Sequence, residues 1–457
     1  MTTLSFTREL PVDGGHDLVV CGGGPSGIAA ALAAARAGLS VLLVEATGQL
    51  GGVGTSCGVS HLLGGRTADN TRACVGGIFL EVAKELAAHG GAVNPETILE
   101  EKYPPYGWFP SLATGVPFDP DAMAALLDEK MLGAGVEVSY FTSFVDVRVE
   151  AARITHVTIF NKSGLSAVPA KAVVDATGDA DVAARSGCQV VKGRADDGLM
   201  TPASLIFTVE RVDQDALAGY IRANDSPRFR ELIQRLRETG EWTFPYDILI
   251  SVQGVEKGTF MINTTRLCDV DGTDGRSLSR GMMAGRKEVH RLFDLMRKRF
   301  PGFANARIKS IAPSLGVRET RRIVGEFVYT VEDVLAGRDF EDTIGLSGYG
   351  WDLPDPKQPS LQPMHEKKAR MKRPYTPIPY RCMVPRPITN LICPGRAISV
   401  EREVLGPLRV MAPCYAMGEA AGLAAAQVAR EGTAFKVVDI RRLRETLLRD
   451  GAILAME

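Results

Sequence analysis

A strand, a glycine turn, a helix and a second strand are predicted in succession over residues 17–52, and this stretch constrains the fold more than any other. Residues 18–21 form a short apolar run typical of a buried strand. Residues 28–36 are nearly all Ala and Leu, which favour helix, and Gly38 stands where a helix commonly ends. Residues 41–44 are a second apolar run. The pattern predicts a βαβ unit, which is the building block of a parallel sheet covered by helices.

The turn of this unit has G-x-G-x-x-G spacing and consists of Gly22, Gly24, Pro25, Ser26 and Gly27. Such glycines permit a tight turn, close approach of the backbone to a diphosphate, and close packing of the helix on the strand. Glu45 follows the second strand about 20 residues later, where a carboxylate accepts hydrogen bonds from the ribose of an adenosine. A glycine turn without a nucleotide is the alternative, but the complete βαβ context favours a dinucleotide site. The motif does not distinguish FAD from NAD.

Composition limits the class of protein. A chain of 457 residues can form two domains, and a formal charge of −1 gives no electrostatic reason to expect nucleic acid or a membrane surface as partner. The eight cysteines include no C-x-x-C pair, which argues against an iron–sulfur cluster, a structural zinc site of the usual spacing or a dithiol relay, and we expect no metal. No apolar signal segment or membrane-spanning run occurs. We therefore expect a cytoplasmic protein.

Three further stretches carry candidate ligand-binding residues. Residues 46–65 are rich in glycine, which indicates backbone lying against a flat ligand. Within them, His61 and Cys57 are potential bases or cofactor attachment points, although an ordinary structural role is the simpler interpretation. A strand predicted at residues 173–174 leads into a loop with Asp179. Residues 391–426 begin as a strand and end in a helix opened by Pro413, and Gly418 on that helix indicates a very close neighbour.

Together these stretches resemble the FAD-dependent oxidoreductases of the glutathione-reductase-like superfamily, and within it the bacterial group related to the fumarate reductase flavoproteins. The matching motifs, in order, are the glycine turn, the double glycine at residues 51–52, ATGD at residues 176–179, GVRETRRIVGE at residues 316–326, and GR…RV…GEAAG at residues 395–422. The resemblance implies FAD as the tightly bound cofactor. It places Glu45 at the adenosine ribose, Asp179 near the diphosphate and ribityl chain, and Arg409 with the Gly418 helix near the isoalloxazine.

The expected cofactor-binding residues are Gly22, Gly24, Pro25, Ser26, Gly27, Glu45, Gly51, Gly52, Thr55, Ala176, Thr177, Gly178, Asp179, Gly395, Arg396, Arg409, Gly418 and Ala421. The chain departs from the group at two positions. Arg402 and Pro354 stand where relatives often carry histidines. For this reason no catalytic base is taken over from the resemblance.

The fold class expected is α/β. A Rossmann-like FAD-binding domain with a parallel sheet and a β-meander would comprise residues 1–198 and 350–457. Residues 199–349 alternate short apolar strands with charged helical stretches, which is typical of an inserted α+β cap domain that shapes a substrate pocket.

Candidate catalytic residues lie where the chain returns from the cap to the FAD-binding domain. They are Tyr380, Arg381, Arg402 and Arg409, with His61 from the glycine-rich loop. Arg318 and Arg321 are candidates to hold a carboxylate of the substrate, because arginine suits bidentate recognition. Internal salt bridges with nearby glutamates are an equally good account of these arginines. Cys414 lies in a first helical turn, where a thiol pKa can fall, although a buried inert thiol is the simpler interpretation.

The expected function is oxidation of a small polar substrate, carboxylate-bearing on the evidence of these arginines, by hydride transfer from a C–H bond to flavin N5. Alternatives are a flavin subunit of a multi-protein electron-transfer complex, an NAD-binding Rossmann oxidoreductase, and an RNA-modifying flavoprotein, which the lack of a basic stretch disfavours. A homo-oligomer is compatible with the sequence. The sequence does not identify the electron acceptor.

Overall fold

The structure is a computed structural model that describes residues 4, 7–67, 69, 71–97, 101–109, 112, 114–366 and 370–456. Within these residues, no helix has both the length and the apolar character needed to cross a membrane.

The secondary structure alternates strands and helices through most of the chain. The strands are β1 (His16–Cys21), β2 (Val41–Val44), β3 (His61–Leu62), β4 (Val116–Pro117), β5 (Glu137–Ser139), β6 (Ser143–Glu150), β7 (Arg153–Asn161), β8 (Gly164–Asp175), β9 (Val190–Lys192), β10 (Phe207–Glu210), β11 (Ser251–Gln253), β12 (Phe260–Ile262), β13 (Arg307–Ile311), β14 (Arg321–Ile323), β15 (Thr343–Ser347), β16 (Thr376–Pro379) and β17 (Leu391–Ile392). The helices are α1 (Pro25–Arg36), α2 (Gly77–Ala88), α3 (Pro120–Gly133), α4 (Asp181–Arg185), α5 (Gln214–Asn224), α6 (Arg230–Glu238), α7 (Gly275–Arg299), α8 (Val331–Ala336), α9 (Pro363–Glu366), α10 (Leu405–Leu408), α11 (Met411–Glu431) and α12 (Ile440–Arg449).

A parallel sheet forms the centre of the larger part of the molecule. Its strands follow the order β5-β2-β1-β8, and β17 pairs with β8. The predicted βαβ unit is confirmed, because β1 and β2 pair in parallel with Leu18 opposite Val41 and α1 connects them. Strand β5, which follows α3, also joins this sheet and pairs in parallel with β2. The α/β class and the Rossmann-like sheet expected from the sequence are therefore correct.

Strand β8 joins the parallel sheet to the β-meander. Its first half pairs antiparallel with β7, and its second half pairs parallel with β1, with His16 opposite Ala170. The sequence predicted a strand at residues 173–174 that is separate from the β-meander. One strand of 12 residues forms instead, because the partly exposed half lies in the meander while the last four residues are completely enclosed between β1 and β17. The sequence pattern separated the two halves of β8 because the side chains of the first half are mostly partly exposed, whereas those of the last four residues are buried.

The cap is built on an antiparallel sheet of order β11-β12-β10-β13, packed against α5, α6 and α7. Helix α7 begins 11 residues before residues 286–299, the most charged part of its sequence. Asp274 caps it by accepting a hydrogen bond from the backbone N–H of Ser277 at 2.6 Å. Gly281 and Gly285 bring the additional turns into contact with the side chains of Leu315 and Leu205. Close packing thus extends the helix through a segment that lacks strong helix formers.

The hydrophobic cores bear on the predicted domain limits. Trp108 packs in the cap core and donates a hydrogen bond from Nε1 to Ser251 Oγ at 2.9 Å, although it precedes the predicted cap. Tyr329, Phe340 and Ile344 lie in the predicted cap range but pack in the core of the parallel sheet. The division at residues 199 and 349 stays a prediction. On this packing we propose that the cap ends nearer residue 318 and includes residues 103–109.

Candidate active site

One large cavity lies where the carboxyl ends of the parallel strands meet the cap. Its volume is about 1610 Å³. Gly22, Glu45 and Ala176 directly follow β1, β2 and β8, and all three line it. Open α/β sheets bind ligands at this edge because successive loops there diverge and leave a crevice.

The glycine turn forms the floor of one end of the cavity. Gly22 has φ +107°, and a Cβ on it would lie 2.4 Å from the carbonyl oxygen of Ala176. A Cβ on Gly27 would lie 1.8 Å from the carbonyl oxygen of Gly22. Gly24 has no atom within 4 Å of its Cβ position and faces open space. No side chain caps the N-terminus of α1, which begins at Pro25, so the helix end is available to an anion.

Glu45 is held in place by the same turn. Its Oε2 accepts a hydrogen bond from the N–H of Gly23 at 2.7 Å, and its Oε1 accepts one from the N–H of Thr47 at 2.7 Å. The carboxylate is buried and lines the cavity. These contacts fix its orientation and leave remaining lone pairs for a ribose.

The ATGD segment forms the opposite wall. Asp179 accepts hydrogen bonds from Arg396 Nη2 at 2.6 Å and from Thr320 Oγ1 at 2.6 Å. The Arg396 guanidinium lies over Gly178, where a Cβ would be 3.0 Å from its Nε. Asp175 accepts hydrogen bonds from Thr177 and from the first turns of α4, and burial raises the pKa of its carboxyl to about 6. These hydrogen bonds hold the ATGD segment in place, and residues 176–179 line the cavity.

Most predicted cofactor residues surround this end, but not all of them line it. The predicted residues on the cavity surface are Gly22, Gly24, Pro25, Ser26, Glu45, Gly52, Ala176, Thr177, Gly178, Asp179, Arg396 and Arg409. Others lie directly behind it: Gly51 donates its N–H to Gly23 O, Thr55 Oγ1 donates to Leu50 O, and Gly395 packs on Ser26. Their contact with a cofactor stays a prediction.

Gly418 and Ala421 differ from the expectation. A Cβ on Gly418 would lie 2.1 Å from the carbonyl oxygen of Ser26, and a Cβ on Gly422 would lie 2.3 Å from that of Ala30. The close neighbour of α11 is therefore α1, and these glycines pack two helices together instead of lining the cavity. Ala421 is completely buried in the same core. It is the beginning of α11 that borders the cavity, through Met411 and Cys414.

Arg409 and Asp352 form an ion pair at the other end of the cavity. Arg409 Nη2 donates to the carbonyl oxygen of Asp352 at 2.7 Å and to its Oδ2 at 3.0 Å. Gln362 Nε2 donates to Asp352 Oδ1 at 2.9 Å, and Tyr349 Oη lies 3.3 Å from Oδ2. Burial raises the pKa of Asp352, but the guanidinium groups of Arg409 and Arg318 outweigh burial and hold it below the usual value. Asp352 is thus an anion that orients Arg409.

Three arginines reach this end from the cap side. Arg318 was expected from the sequence, and it lines the cavity and donates to Pro202 O at 2.7 Å and to Asn263 Oδ1 at 3.2 Å. Arg228 and Arg266 were missed. They lie 38 residues apart and no motif marks either of them, so only the folded cap brings them to the same cavity.

Four other candidates lie outside the cavity. Tyr380 is buried, and its hydroxyl donates to Phe435 O at 3.0 Å. Arg381 pairs with Asp342 at 2.9 Å. Arg402 is buried and pairs with Glu319 at 2.8 Å, and Arg321 pairs with Asp181 at 2.8 Å. The expectation that these residues border the substrate was wrong, because their polar atoms are used in internal hydrogen bonds and ion pairs.

Burial disfavours the thiolate form of the two thiols at the cavity. Cys57 and Cys414 both border the cavity, but burial raises the pKa of each to about 12. The simpler interpretation of Cys414 as an inert thiol is therefore the better one. At Cys414, burial outweighs any effect of the helix N-terminus on the thiol pKa.

His61 lies on β3 at the cavity wall. Its ring is buried, and Nε2 has no hydrogen-bond partner among the described residues. Burial lowers the pKa of the imidazole to about 4. At neutral pH the ring is therefore uncharged.

The low pKa of His61 predicts a loss of stability in acid. Protonation is favoured in the unfolded chain below its usual pKa of 6.5 and is resisted in the fold until about pH 4, so stability is fully present above pH 6.5 and falls as pH drops through this window. The loss at pH 4.5 is expected to be about 2 to 3 kcal/mol. The His61→Phe variant should not show this acid-induced loss of unfolding free energy. Denaturant unfolding of both proteins at pH 7.5 and 4.5 measures it. The exposed His365 supplies the control substitution, His365→Phe, and an equal acid loss in all three proteins would contradict the prediction.

Comparison with known proteins decides the family. The family model described as FAD dependent oxidoreductase matches residues 17–447. The chain belongs to this family. The open glycine turn, the uncapped end of α1 and the oriented Glu45 fit the diphosphate and ribose of FAD. The protein is an enzyme with FAD as its cofactor.

Similar solved structures share only the fold. They include the flavin-dependent brominase Bmp2, with 14% identity, 95% of this chain and 83% of that chain covered, and a TM-score of 0.48. A geranylgeranyl bacteriochlorophyll reductase-like protein from Thermoplasma acidophilum has 13% identity, covers 96% and 86%, and has a TM-score of 0.47. The p-nitrophenol 4-monooxygenase of Pseudomonas putida has 13% identity, covers 96% and 86%, and has a TM-score of 0.46. No curated protein matches the sequence. At this similarity the neighbours carry no argument about substrate.

Proposed function

We propose that this enzyme is a dehydrogenase or oxidase that removes a hydride from a C–H bond of a small polar organic substrate, in the group related to the fumarate reductase flavoproteins. The bound FAD supplies the hydride-accepting N5 atom. The observation that carries the proposal is one cavity with two chemically different ends. A dinucleotide frame formed by Gly22 and Glu45 lies at one end, and buried guanidinium groups with the carboxylate of Asp352 lie at the other.

The side chains at the second end have distinct proposed roles. Arg409 and Arg318 bind and orient a carboxylate of the substrate, since a guanidinium offers two parallel N–H donors to it. Asp352 holds Arg409 in place through its 3.0 Å contact. His365 lines the cavity and is the imidazole proposed to accept the proton of the substrate's hydroxyl or amine.

Visible spectroscopy tests the cofactor and substrate together. We expect the purified protein to show the two absorption bands of oxidised flavin, to release the flavin on acid precipitation, and to bleach without oxygen when a true substrate is added. Colour that stays in the acid pellet would instead indicate covalent attachment, for which His61 and Cys57 border the cavity. A protein that neither contains nor takes up FAD would contradict the proposal.

Substitution of Arg409 tests the role of the second end. Arg409→Met is expected to lower kcat/KM by about 100-fold, because it removes a charge-assisted contact to the substrate, while FAD binding is kept. Arg381→Gln is the matched control, since Arg381 pairs with Asp342 outside the cavity. Steady-state kinetics of both variants measure the effect. If kcat/KM falls equally in both variants, Arg409 does not bind the substrate.

We also propose a cytoplasmic location. The cysteines resolved in the structure are all free, which suits a reducing compartment.

A further inference from the structure

Part of the cavity surface is formed by one face of the cap sheet. Four apolar side chains of this face line the cavity, and they belong to Ile206, Ile250, Val252 and Met261. We call these four side chains the apolar wall. Because they lie within the cavity, a small molecule and not a partner protein would cover them.

The pairing of the cap strands brings the apolar wall together. Val252 on β11 lies directly opposite Met261 on β12, and Met261 lies opposite Thr208 on β10. Ile250 precedes Val252 by two residues, and Ile206 precedes Thr208 by two. Side chains two residues apart on a strand point to the same face, so the four members of the apolar wall form one continuous surface.

The opposite face of the same strands packs in the cap core. The ring of Phe207 on β10 lies edge-on to Phe293 of α7, with 6.5 Å between the ring centres. The ring of Phe260 on β12 stacks on Trp108 at 6.2 Å. An antiparallel sheet that buries one face and exposes the other to water usually carries polar side chains on the exposed face. The apolar wall departs from this alternation, which indicates that a ligand covers it.

Asn263 connects the apolar wall to the polar end of the cavity. This residue directly follows β12, and its backbone N–H donates to the carbonyl oxygen of Ile250 at 3.0 Å. Its side-chain Oδ1 accepts a hydrogen bond from Arg318 Nη2 at 3.2 Å. The surface that begins at Arg318 therefore continues without a break onto the apolar wall. A ligand whose polar end lies at Arg318 has an apolar surface directly beside it.

Helix α7 adds apolar side chains to the same cavity. Leu278 and Met282 lie one turn apart on this helix, and both line the cavity. Met261 of the apolar wall and Met282 are flexible and polarisable, so they can adapt to apolar groups of different shapes.

We propose that the substrate carries an apolar group, an alkyl chain or a ring, which packs on the apolar wall while its polar end lies at Arg318. This inference rests on the proposed function, whose substrate it describes more closely. Ligand pockets typically combine apolar lining with a few polar groups that orient the ligand. A substrate that is polar throughout would leave the apolar wall in contact with water and would gain nothing from the hydrophobic effect there.

Calorimetry with a homologous series tests the proposal on the FAD-loaded protein. Acetate, butyrate, hexanoate and octanoate share one head group and differ only in the length of the apolar chain. At one pH and one ionic strength, we expect a single site whose affinity rises at least about 2-fold for each added methylene, toward the roughly 4-fold of complete burial. Equal affinity at all chain lengths would overturn the proposal, since the cofactor or water would then cover the apolar wall.

Two variants assign the chain-length dependence to the apolar wall. Ile250→Ser should weaken hexanoate binding at least about 5-fold and acetate binding less than about 2-fold, because only the longer chain reaches the altered surface. Val252→Phe stays apolar but takes up space, so it should weaken octanoate more than butyrate. If Ile250→Ser does not fold, the wild-type series and Val252→Phe still decide.

Ile308→Ser is the matched control. Ile308 lies on β13 of the same sheet and is partly exposed like Ile250, but it does not belong to the described residues that line the cavity. The control should keep the wild-type dependence on chain length. Many weak sites instead of one, or an equal effect of Ile308→Ser and Ile250→Ser on hexanoate, would show adsorption elsewhere on the protein and would overturn the proposal.

Alcohols of the same chain lengths separate this inference from the function on which it rests. If the carboxylates do not bind but 1-hexanol binds more tightly than ethanol, the proposed carboxylate contact fails and the apolar wall is supported. If the carboxylates bind with no dependence on chain length, the apolar-wall proposal fails and the proposed function stands. Failure to bind FAD would remove the proposed function, and the same two series with the cofactor-free protein would then test the apolar wall independently.

Discussion

Glu319→Ala is expected to lower the free energy of unfolding by about 3 to 5 kcal/mol, because it would leave buried guanidinium groups without a counter-charge. Glu319 is 1% exposed. Its Oε1 and Oε2 accept hydrogen bonds from Arg402 at 2.8 Å each, and Arg322 Nη1 lies 3.2 Å from Oε1. The N–H of Thr201, where the chain enters the cap, donates to Oε2 at 2.9 Å. One carboxylate thus connects three segments at the junction of the cap and the FAD-binding domain.

Equilibrium denaturation of the FAD-free protein measures this loss, because bound cofactor would itself stabilise the fold. Glu326→Ala is the matched control. Glu326 pairs with the exposed Arg386 at 2.7 Å, and a pair of this kind contributes about 1 kcal/mol or less. A loss of similar size in both variants would show that the buried network contributes no more than a surface ion pair.

Gly418→Ala is expected to destabilise the protein by at least about 3 kcal/mol and to weaken FAD binding by a factor of at least about 100, because the new methyl group would overlap the backbone of α1. The Cβ would lie 2.1 Å from Ser26 O and 2.8 Å from Ser26 Cα. Backbone atoms in a buried helix cannot yield as a flexible side chain can, so the helices must separate. Ser26 lines the cavity in the first turn of α1, and its displacement would move the predicted diphosphate site.

Gly219→Ala is the control for this substitution. Gly219 lies within α5 and has no atom within 4 Å of its Cβ position, so the alanine should stabilise the helix by up to about 1 kcal/mol. Thermal unfolding measures stability, and fluorescence titration with FAD measures affinity. A Gly418→Ala protein that binds FAD with unchanged affinity would contradict the proposed link between the helix contact and the cofactor site.

The residues near the dinucleotide frame could be predicted because their signals are local. The turn at Gly22, the helix after it and Glu45 lie within a few tens of residues of one another. Together they form the βαβ pattern that is typical of dinucleotide binding. The resemblance added the ATGD segment and Arg396. Arg409 lines the cavity, and its place near the flavin, which the resemblance implies, stays a prediction.

The candidates that failed are polar residues whose partners are distant in sequence. Arg402 pairs with Glu319, and Arg381 pairs with Asp342. The sequence places these arginines on segments that lead back to the FAD-binding domain, but it does not show which carboxylates pair with them. Gly418 was correctly expected to have a close neighbour, but the neighbour is α1 and not the cofactor. A glycine in a helix indicates only that another group packs closely against it. Whether that group is a second helix or a ligand depends on the tertiary structure.

The sequence by itself determined the βαβ unit, the parallel sheet, the β-meander and the dinucleotide end of the cavity, because strand and helix periods and glycine spacing act over short distances. Only the tertiary structure decided which charges are paired. Arg228 and Arg266 resemble any other arginine in the chain, and only the folded cap brings them to the same cavity as Arg318 and Arg409. The net charge of a buried site depends on residues that are distant in sequence, so no local sequence pattern predicts it.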